Sequence, residues 1–353
     1  MRLSASGKAF RRAYLNEAQE VFLDGHVRAF EHFGGVPVRI RYDNLKAAVV
    51  RVLKGRDRIE SDRFTALRSH YGFESFFCRP GIVGAHEKGG VEGEVGRFRR
   101  RALVPVPRVE SMDELNELLD AIGVRDDRRH IASRLHSVED HFDAERLMLQ
   151  VAPVEVFDTR LLLSCRVDIK SRVCVRQCFY SVPQRFAGRR LDVRLGADRV
   201  EVFDGGHRVA VHPRAVGKGV EVLVLDHYLE VLTRKPGALL NASALARART
   251  TGTFSPTHDR FWTFARSKLG DRNGTRALID VLLLHRQLPA DALIAAMIAA
   301  MSVGSVDAAV VAIEARKTIQ TADAVVVPIG EHLARFDRPK PSLAHYDQLL
   351  EAQ

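Results

Sequence analysis

The fold is decided by the stretch Gly34-Gly-Val-Pro-Val-Arg-Ile-Arg-Tyr-Asp-Asn44. Apolar side chains occupy every second position from Val36 to Tyr42, which is the two-residue period of a β-strand with one buried face. The next residue is the carboxylate Asp43. The stretch therefore predicts a strand that delivers an acidic side chain to its own carboxyl end.

Helices and a second strand are predicted around this strand. Apolar residues at helical spacing predict an amphipathic helix over 16–33, and Gly34 supplies its stop. Downstream, a helix is predicted over 62–70, a short buried strand over 73–78 and a third helix over 86–101. Strands that alternate with helices are typical of an α/β domain.

The composition favours a soluble protein with a polyanionic partner. The 353 residues carry 54 Lys and Arg against 44 Asp and Glu, a net charge of +10, and the pI is about 9.7. Nucleic acid is the first candidate partner for such a basic chain. The four cysteines show neither zinc-finger spacing nor a disulfide pattern, which favours the reducing cytoplasm. The sequence contains no run of eighteen apolar residues, so no membrane span is predicted.

The chain divides into five predicted segments. The α/β domain takes 1–108, and a helical connector takes 109–152. Short strands separated by Gly, Asp and Pro predict a small β-barrel over 153–226. A helical region is expected over 227–335, and a tail peptide over 336–353 follows a proline-rich sequence.

Two carboxylates stand in a strongly basic neighbourhood. Residues 51–108 hold thirteen Lys and Arg and seven Asp and Glu, a net charge of +6. Asp43 alone could be a turn or cap residue, and Glu92 alone could pair with Lys88 on a solvated helix face. Together, acids in a basic field beside a polyanion suit Mg²⁺ or Mn²⁺, because such ions take carboxylate oxygens and substrate phosphate. The pair therefore indicates phosphoryl transfer.

Basic residues near this pair are candidate contacts to DNA phosphates. Arg97 and Arg99 to Arg101 place four arginines in five residues, more than the charge that a helix C-terminus favours. Lys88 could serve either a phosphate or Glu92. The candidate contacts are Lys46, Lys88, Arg97, Arg99, Arg100 and Arg101.

Several segments resemble one known family. In the first half they are Arg2-Leu-Ser-Ala-Ser-Gly7, Phe22-Leu-Asp-Gly-His-Val-Arg-Ala-Phe30, Gly34-Gly-Val-Pro37, Tyr42-Asp-Asn-Leu-Lys46, His86-Glu-Lys-Gly-Gly-Val-Glu92 and Arg99-Arg-Arg101. In the second half they are Tyr180-Ser-Val-Pro183, His212-Pro-Arg214, His227-Tyr228 and Lys235-Pro-Gly-Ala238. The chain resembles the IS21-family transposase, a DDE-type integrase, over nearly its whole length.

The resemblance implies a fold, a site and partners. The fold is a ribonuclease-H-like α/β core, followed here by the β-barrel and the helical C-terminal region. The family's second catalytic aspartate matches Asp43, and its glutamate matches Glu92, which ends a Lys-x-x-Val-Glu stretch. These residues would hold Mg²⁺ or Mn²⁺ for DNA strand cleavage and transfer.

The family also assembles as an oligomer on double-stranded DNA with an AAA+ ATPase helper. The apolar residues of the tail are candidate anchors for that helper: Leu343, Tyr346, Leu349 and Leu350.

One departure from the family changes the expected activity. The family's first catalytic aspartate and a helix-turn-helix region precede the Arg2-Leu-Ser-Ala-Ser-Gly7 segment, and neither has a match in this sequence. We therefore expect an N-terminally truncated, catalytically impaired copy. The alternatives are a non-catalytic DNA-binding remnant that inhibits transposition, and a nuclease of the same fold that takes a ligand from elsewhere. A small-molecule enzyme has little support, since no phosphate-binding glycine loop is present.

Overall fold

The computed structural model contains two compact units, residues 1–228 and residues 229–353. The structure describes residues 1–42, 48–52, 58–78, 85–132 and 134–322. Each unit is considered by itself. Within the described residues, no helix is both long and apolar enough to cross a membrane.

The first half of unit 1 contains the helices and strands that the sequence predicts, together with two further strands that it does not. Its elements are α1 (Gln19–Phe33), β1 (Arg39–Tyr42), β2 (Val49–Val52), β3 (Arg58–Glu60), α2 (Asp62–Tyr71), β4 (Glu74–Phe77), α3 (Ala85–Ala102), α4 (Met112–Asp126) and α5 (Val138–Arg146). Strands β1 and β4 pair in parallel, with Tyr42 opposite Phe77. Strands β2 and β3 form a separate antiparallel pair. The α/β class is confirmed, and the ribonuclease-H-like assignment stays a prediction.

Local sequence sets the ends of the first two helices. Gly34 (φ 68°) and Gly72 (φ 71°) end α1 and α2 in the left-handed conformation, which costs glycine little. The Ser61 side chain caps α2 by accepting a hydrogen bond from the Phe64 amide. Both helices bury one face against β1 and β4, and this core includes Leu23, Phe30, Ile40, Tyr42, Phe64, Leu67 and Phe77. Each large apolar side chain buried here contributes roughly 1.5–3 kcal/mol.

The first ten residues form a hairpin against α1. Met1 and Phe10 exchange both backbone hydrogen bonds at 2.9 Å, and Gly7 (φ 83°) lies in the turn. Leu3 and Phe10 pack on Phe33 of α1. The hairpin thereby covers the side of α1 that the main core leaves open.

The second half of unit 1 is a β module. Its strands are β5 (Leu161–Arg166), β6 (Arg172–Val175), β7 (Cys178–Ser181), β8 (Arg190–Leu195), β9 (Arg199–Asp204), β10 (His207–Pro213) and β11 (Glu221–Val222). They form two sheets, of order β10-β9-β8-β5 and β11-β7-β6. The prediction of a small β-barrel over 153–226 is therefore wrong about closure, because the strands of this fully described segment form no closed barrel.

A tight turn separates β5 from β6. The Asp168 carboxylate accepts hydrogen bonds from the Lys170 and Arg172 amides, and Ser171 takes a positive φ of 59°. After this turn β6 pairs with β7, whereas β5 pairs with β8 in the other sheet. The two sheets share one apolar core, which includes Val173, Tyr180, Val193, Val200 and Val202.

A buried ion pair joins the β module to α1. Arg214, which follows β10, donates to Glu20 at 2.7 Å, and the two side chains are only 9% and 2% exposed. A second Arg214 nitrogen donates to the Gly196 carbonyl. Separating the β module from α1 would leave both charges without their partner, which is costly. The pair therefore holds the β module against α1.

Unit 2 is helical over its described residues. Its helices are α6 (Leu229–Arg234), α7 (Ser243–Thr250), α8 (Pro256–Leu283), α9 (Ala290–Ser302) and α10 (Ala308–Ala322). Helix α8 is broken at Gly270, whose φ of 75° and ψ of 168° are not helical. The sequence predicts two helices here, over 261–269 and 276–286, and these correspond to the two halves of α8.

Candidate functional site

The site predicted from sequence begins at the end of β1. The Cys78 amide donates to the Tyr42 carbonyl at 2.9 Å, so the parallel pairing with β4 continues to the last residue of β1. Asp43 comes next in the chain. Asp43 and Lys46 both lie outside the described residues. The structure thus confirms the strand that leads to Asp43 and does not describe the carboxylate itself.

Tyr42 is held by a buried histidine. The His26 Nδ1 lies 2.8 Å from the Phe22 carbonyl and must donate to it, so Nε2 accepts from the Tyr42 hydroxyl, also at 2.8 Å. Burial lowers the pKa of His26 to about 4 and raises the pKa of Tyr42 well above its ordinary value. Both groups are therefore neutral at pH 7, and their hydrogen bond fixes the residue that precedes Asp43.

A cavity of about 730 Å³ runs along β1. Phe22 and Ile40 contribute apolar surface to it, and Arg12, Glu17 and Arg41 contribute charged groups. Among the described residues, no three His, Cys, Asp or Glu side chains converge as a metal-binding group. A metal at this end of β1 therefore depends on side chains outside the described set.

Helix α3 carries the second predicted acid. Its backbone spans Ala85–Ala102, which confirms the predicted helix, while the side chains of Lys88 and Glu92 lie outside the described residues. Helical spacing places positions 88, 92, 96 and 99 along one face. At Gly96 an added Cβ would lie 3.3 Å from the guanidinium of Arg100. The helix face that carries position 92 is therefore followed, one turn later, by the guanidinium of Arg100.

An ion-pair cluster, here called the Arg97 cluster, joins α3 to α4 and the N-terminal segment. Its members are Arg11, Glu94, Arg97, Asp126 and Arg129. Arg97 donates to both Glu94 and Asp126 at 2.7 Å, and these carboxylates are 11% and 9% exposed. Burial alone would raise the pKa values of Glu94 and Asp126, but the hydrogen bonds from Arg97 and the charge of Arg129 hold both below their ordinary values.

The predicted arginine run divides into two environments. Arg97 is committed to the cluster and is 30% exposed. Arg99, Arg100 and Arg101 are exposed, and no carboxylate within the described part of unit 1 pairs with them. These three guanidinium groups remain available to an anionic ligand, and the contact of all six candidate residues with DNA stays a prediction.

The cluster is the feature that sequence reasoning missed. Glu94 and Arg97 are three residues apart on α3, which is a visible pairing signal. Asp126 ends α4 and Arg129 follows it, about thirty residues away in the chain, and no local pattern indicates their contact with α3. The tail residues Leu343, Tyr346, Leu349 and Leu350 lie outside the described residues.

Comparisons with known proteins identify the family of the chain. Residues 152–224, which contain the β module, match the family described as the Mu transposase C-terminal domain. A transposase of Aminobacter aminovorans is 32% identical over 86% of this chain and 58% of its own length. A transposase for insertion sequences IS1326/IS1353 of Pseudomonas aeruginosa is 30% identical over 99% of this chain and 68% of its own length.

A third relative carries the family name directly. The transposase for insertion sequence element IS21 of Pseudomonas aeruginosa is 31% identical over 53% of this chain and 47% of its own length. The chain thus spans about half to two thirds of the length of these relatives. The match to the IS1326/IS1353 protein extends over nearly all of the present sequence. This chain belongs to the IS21 family of insertion-sequence transposases.

Proposed function

We propose that the chain serves DDE-type transposition, the metal-dependent cleavage of DNA strands and their transfer to a target. One observation carries this proposal. In a chain of a transposase family, Asp43 directly follows the fixed carboxyl end of β1, and position 92 lies on a helix that ends in three exposed arginines. Phosphoryl transfer needs this combination of acids and cations.

The donor set fits a magnesium or manganese ion. Asp43 and Glu92 would hold it, since carboxylate oxygens are the ligands that Mg²⁺ prefers. When bound, the ion supplies activation of the attacking hydroxyl or water and stabilisation of the leaving oxygen. The described residues offer no competing metal-binding group.

The chain's own residues then bind and position the DNA. Arg99, Arg100 and Arg101 contact phosphates through exposed guanidinium groups, with Lys46 and Lys88 as further contacts. The Arg97 cluster keeps α3 fixed against α4, so Glu92 and the exposed arginines stay on one rigid element. The Tyr42–His26 hydrogen bond holds β1 at the residue before Asp43.

Assembly on DNA is part of the proposal. The family supports a homo-oligomer on the ends of the element and a helper ATPase of the AAA+ class. The residues Leu343, Tyr346, Leu349 and Leu350 would anchor the helper. Deleting residues 338–353 should abolish helper association in a pull-down assay, and retained association would refute the anchor.

A DNA-binding form that occupies element ends and inhibits transposition is the second candidate. The exposed arginines of α3 favour it, since their contacts with phosphate need no metal.

A strand-transfer assay tests the proposal. A labelled duplex with element ends is incubated with the chain and Mg²⁺ or Mn²⁺, alone and together with a full-length relative. Catalysis by this chain that is abolished by Asp43→Asn would support the transposase. Binding without catalysis, together with inhibition of the relative, would favour the DNA-binding form. The absence of both DNA binding and catalysis would refute both candidate functions.

A further inference from the structure

A groove of about 630 Å³ lies entirely within unit 2. One wall is the end of α6 and the turn after it, residues 234–238, which includes the Lys235-Pro-Gly-Ala238 segment. The other wall is α8 on both sides of its break, from Trp262 to Thr275. The site proposed for strand transfer uses none of these residues.

The break at Gly270 shapes this groove. Trp262 donates from Nε1 to the Thr275 hydroxyl at 2.9 Å, although thirteen residues separate them. A Cβ added to Gly274 would lie 2.5 Å from the backbone of Arg266, so the two halves of α8 meet backbone to backbone. The helix folds back on itself, with the buried Trp262 between its halves, and the groove is therefore a fixed feature of the unit.

The charge of the groove is strongly positive. Four cations line it, Arg234, Lys235, Arg266 and Arg272, against the single carboxylate Asp271. Arg266 already pairs with Asp271 at 2.6 Å. The other three cations are exposed, and within the described residues of unit 2 they have no carboxylate partner. The partial negative charge at the C-terminus of the six-residue helix α6 explains one nearby cation, but it does not explain three.

We propose that this groove binds the phosphodiester backbone of double-stranded DNA. Three unpaired cations around one open groove attract a polyanion, and arginine donors match phosphate oxygens in pairs. The assignment to DNA rather than to an acidic polypeptide rests on the proposed function. The groove thus gives unit 2 a contact with DNA that is separate from the arginines of α3.

Two matched double variants test the groove in the full chain. Lys235→Gln/Arg272→Gln removes two groove cations, and Arg260→Gln/Arg316→Gln removes two exposed cations of the same unit that do not line it. Binding is followed by fluorescence anisotropy with two duplexes of unrelated sequence over a range of salt. Thermal melting checks that each variant folds. Lys235→Arg/Arg272→Lys keeps both charges.

The groove variant should bind both duplexes roughly tenfold more weakly near 0.1 M salt, and its slope of log K against log salt should fall by about 2. The control and the charge-preserving variant should stay within about twofold of the unchanged chain. Equal weakening of the groove variant and the control, or no weakening, would overturn the proposal. Polyglutamate serves as a second anionic probe. If the groove variant binds polyglutamate more weakly but binds DNA as the unchanged chain does, the groove takes an acidic polypeptide instead.

The assay also separates this proposal from strand transfer. Asp43→Asn should leave the contribution of the groove unchanged, since DNA contact there needs no metal. Strand transfer that persists in Asp43→Asn, with groove binding intact, would contradict only the catalytic proposal. Loss of the groove effect with intact strand transfer would contradict only the groove.

Discussion

The Tyr42 hydroxyl donates to Nε2 of His26 across 2.8 Å, so the last residue of β1 is tied to the middle of α1. Both side chains are buried, at 6% and 5% exposure. Tyr42 also packs edge to face on Phe64. The conformation of β1 just before Asp43 is therefore set by the core.

Removing the Tyr42 hydroxyl should weaken unit 1. Tyr42→Phe leaves the Nε2 lone pair of His26 buried without a donor, and we expect a loss of roughly 1–2 kcal/mol in the free energy of unfolding. Urea unfolding followed by circular dichroism measures it. The exposed His207→Ala should change stability by less than about 0.5 kcal/mol. An unchanged midpoint for Tyr42→Phe would show that the hydrogen bond contributes nothing.

The stability of unit 2 should fall in mild acid. The buried His258 accepts a hydrogen bond from the Ser255 amide at Nδ1, and its Nε2 lies 3.0 Å from Nε2 of His285. Burial, and then the charge of His285, lower the pKa of His258 to about 4. The unfolded chain, with a pKa near 6.5, takes up this proton first. Stability is therefore complete above pH 6.5 and is lost as pH falls toward 4, by about 2 kcal/mol at pH 5.

Trp262, the single tryptophan, reports this loss from within the same helix. Its fluorescence should show a lower urea midpoint at pH 5 than at pH 7. His258→Gln should flatten the difference. Identical midpoints at the two pH values in the unchanged chain would mean that His258 already protonates in the folded state.

Breaking the Arg97 cluster should destabilise unit 1 strongly. Asp126→Asn leaves Arg11, Arg97 and Arg129 with Glu94 as the one carboxylate of the cluster, and removing one partner of a buried ion pair costs about 3 kcal/mol. Glu74→Gln is the matched control, because the Arg39–Glu74 pair is 65% and 61% exposed and should contribute less than about 1 kcal/mol. Similar losses in both variants, measured by urea unfolding, would refute the structural role of the cluster.

The arginine run should separate into a structural and a DNA-binding part. Arg99→Gln/Arg100→Gln should keep the melting temperature and lower the salt slope of DNA binding by about 2. Arg97→Gln should instead lower the melting temperature, because its cluster loses its central donor. Anisotropy and thermal melting on the same samples provide both readouts. A lower melting temperature for Arg99→Gln/Arg100→Gln would contradict the division.

Local patterns were enough for most elements of the first half. The alternation from Val36 to Tyr42 predicted β1, and the glycines after α1 and α2 predicted their ends, since each signal lies within a few residues. The β2 and β3 pair was missed, as was the closeness of the two halves of α8. These features depend on contacts between residues distant in the chain, such as Trp262 with Thr275.

The site shows the same limit. The strand that leads to Asp43 and the helix that carries Glu92 followed from sequence periodicity. The role of Arg97 did not, because its partner Asp126 lies on α4. The open edge of the β module was also missed, because the pairing of strands depends on residues distant in the chain, such as Leu161 with Leu195.

Cleavage of the polypeptide by bound iron shows whether Asp43 and Glu92 share one metal site. Fe²⁺ replaces Mg²⁺ in the chain bound to duplex DNA, ascorbate and peroxide generate hydroxyl radicals at the metal, and mass spectrometry maps the cut sites. We expect cuts near both Asp43 and Glu92, lost together in Asp43→Asn and suppressed by excess Mg²⁺. Cuts near only one of these residues, or cuts that persist in Asp43→Asn, would contradict a shared metal site.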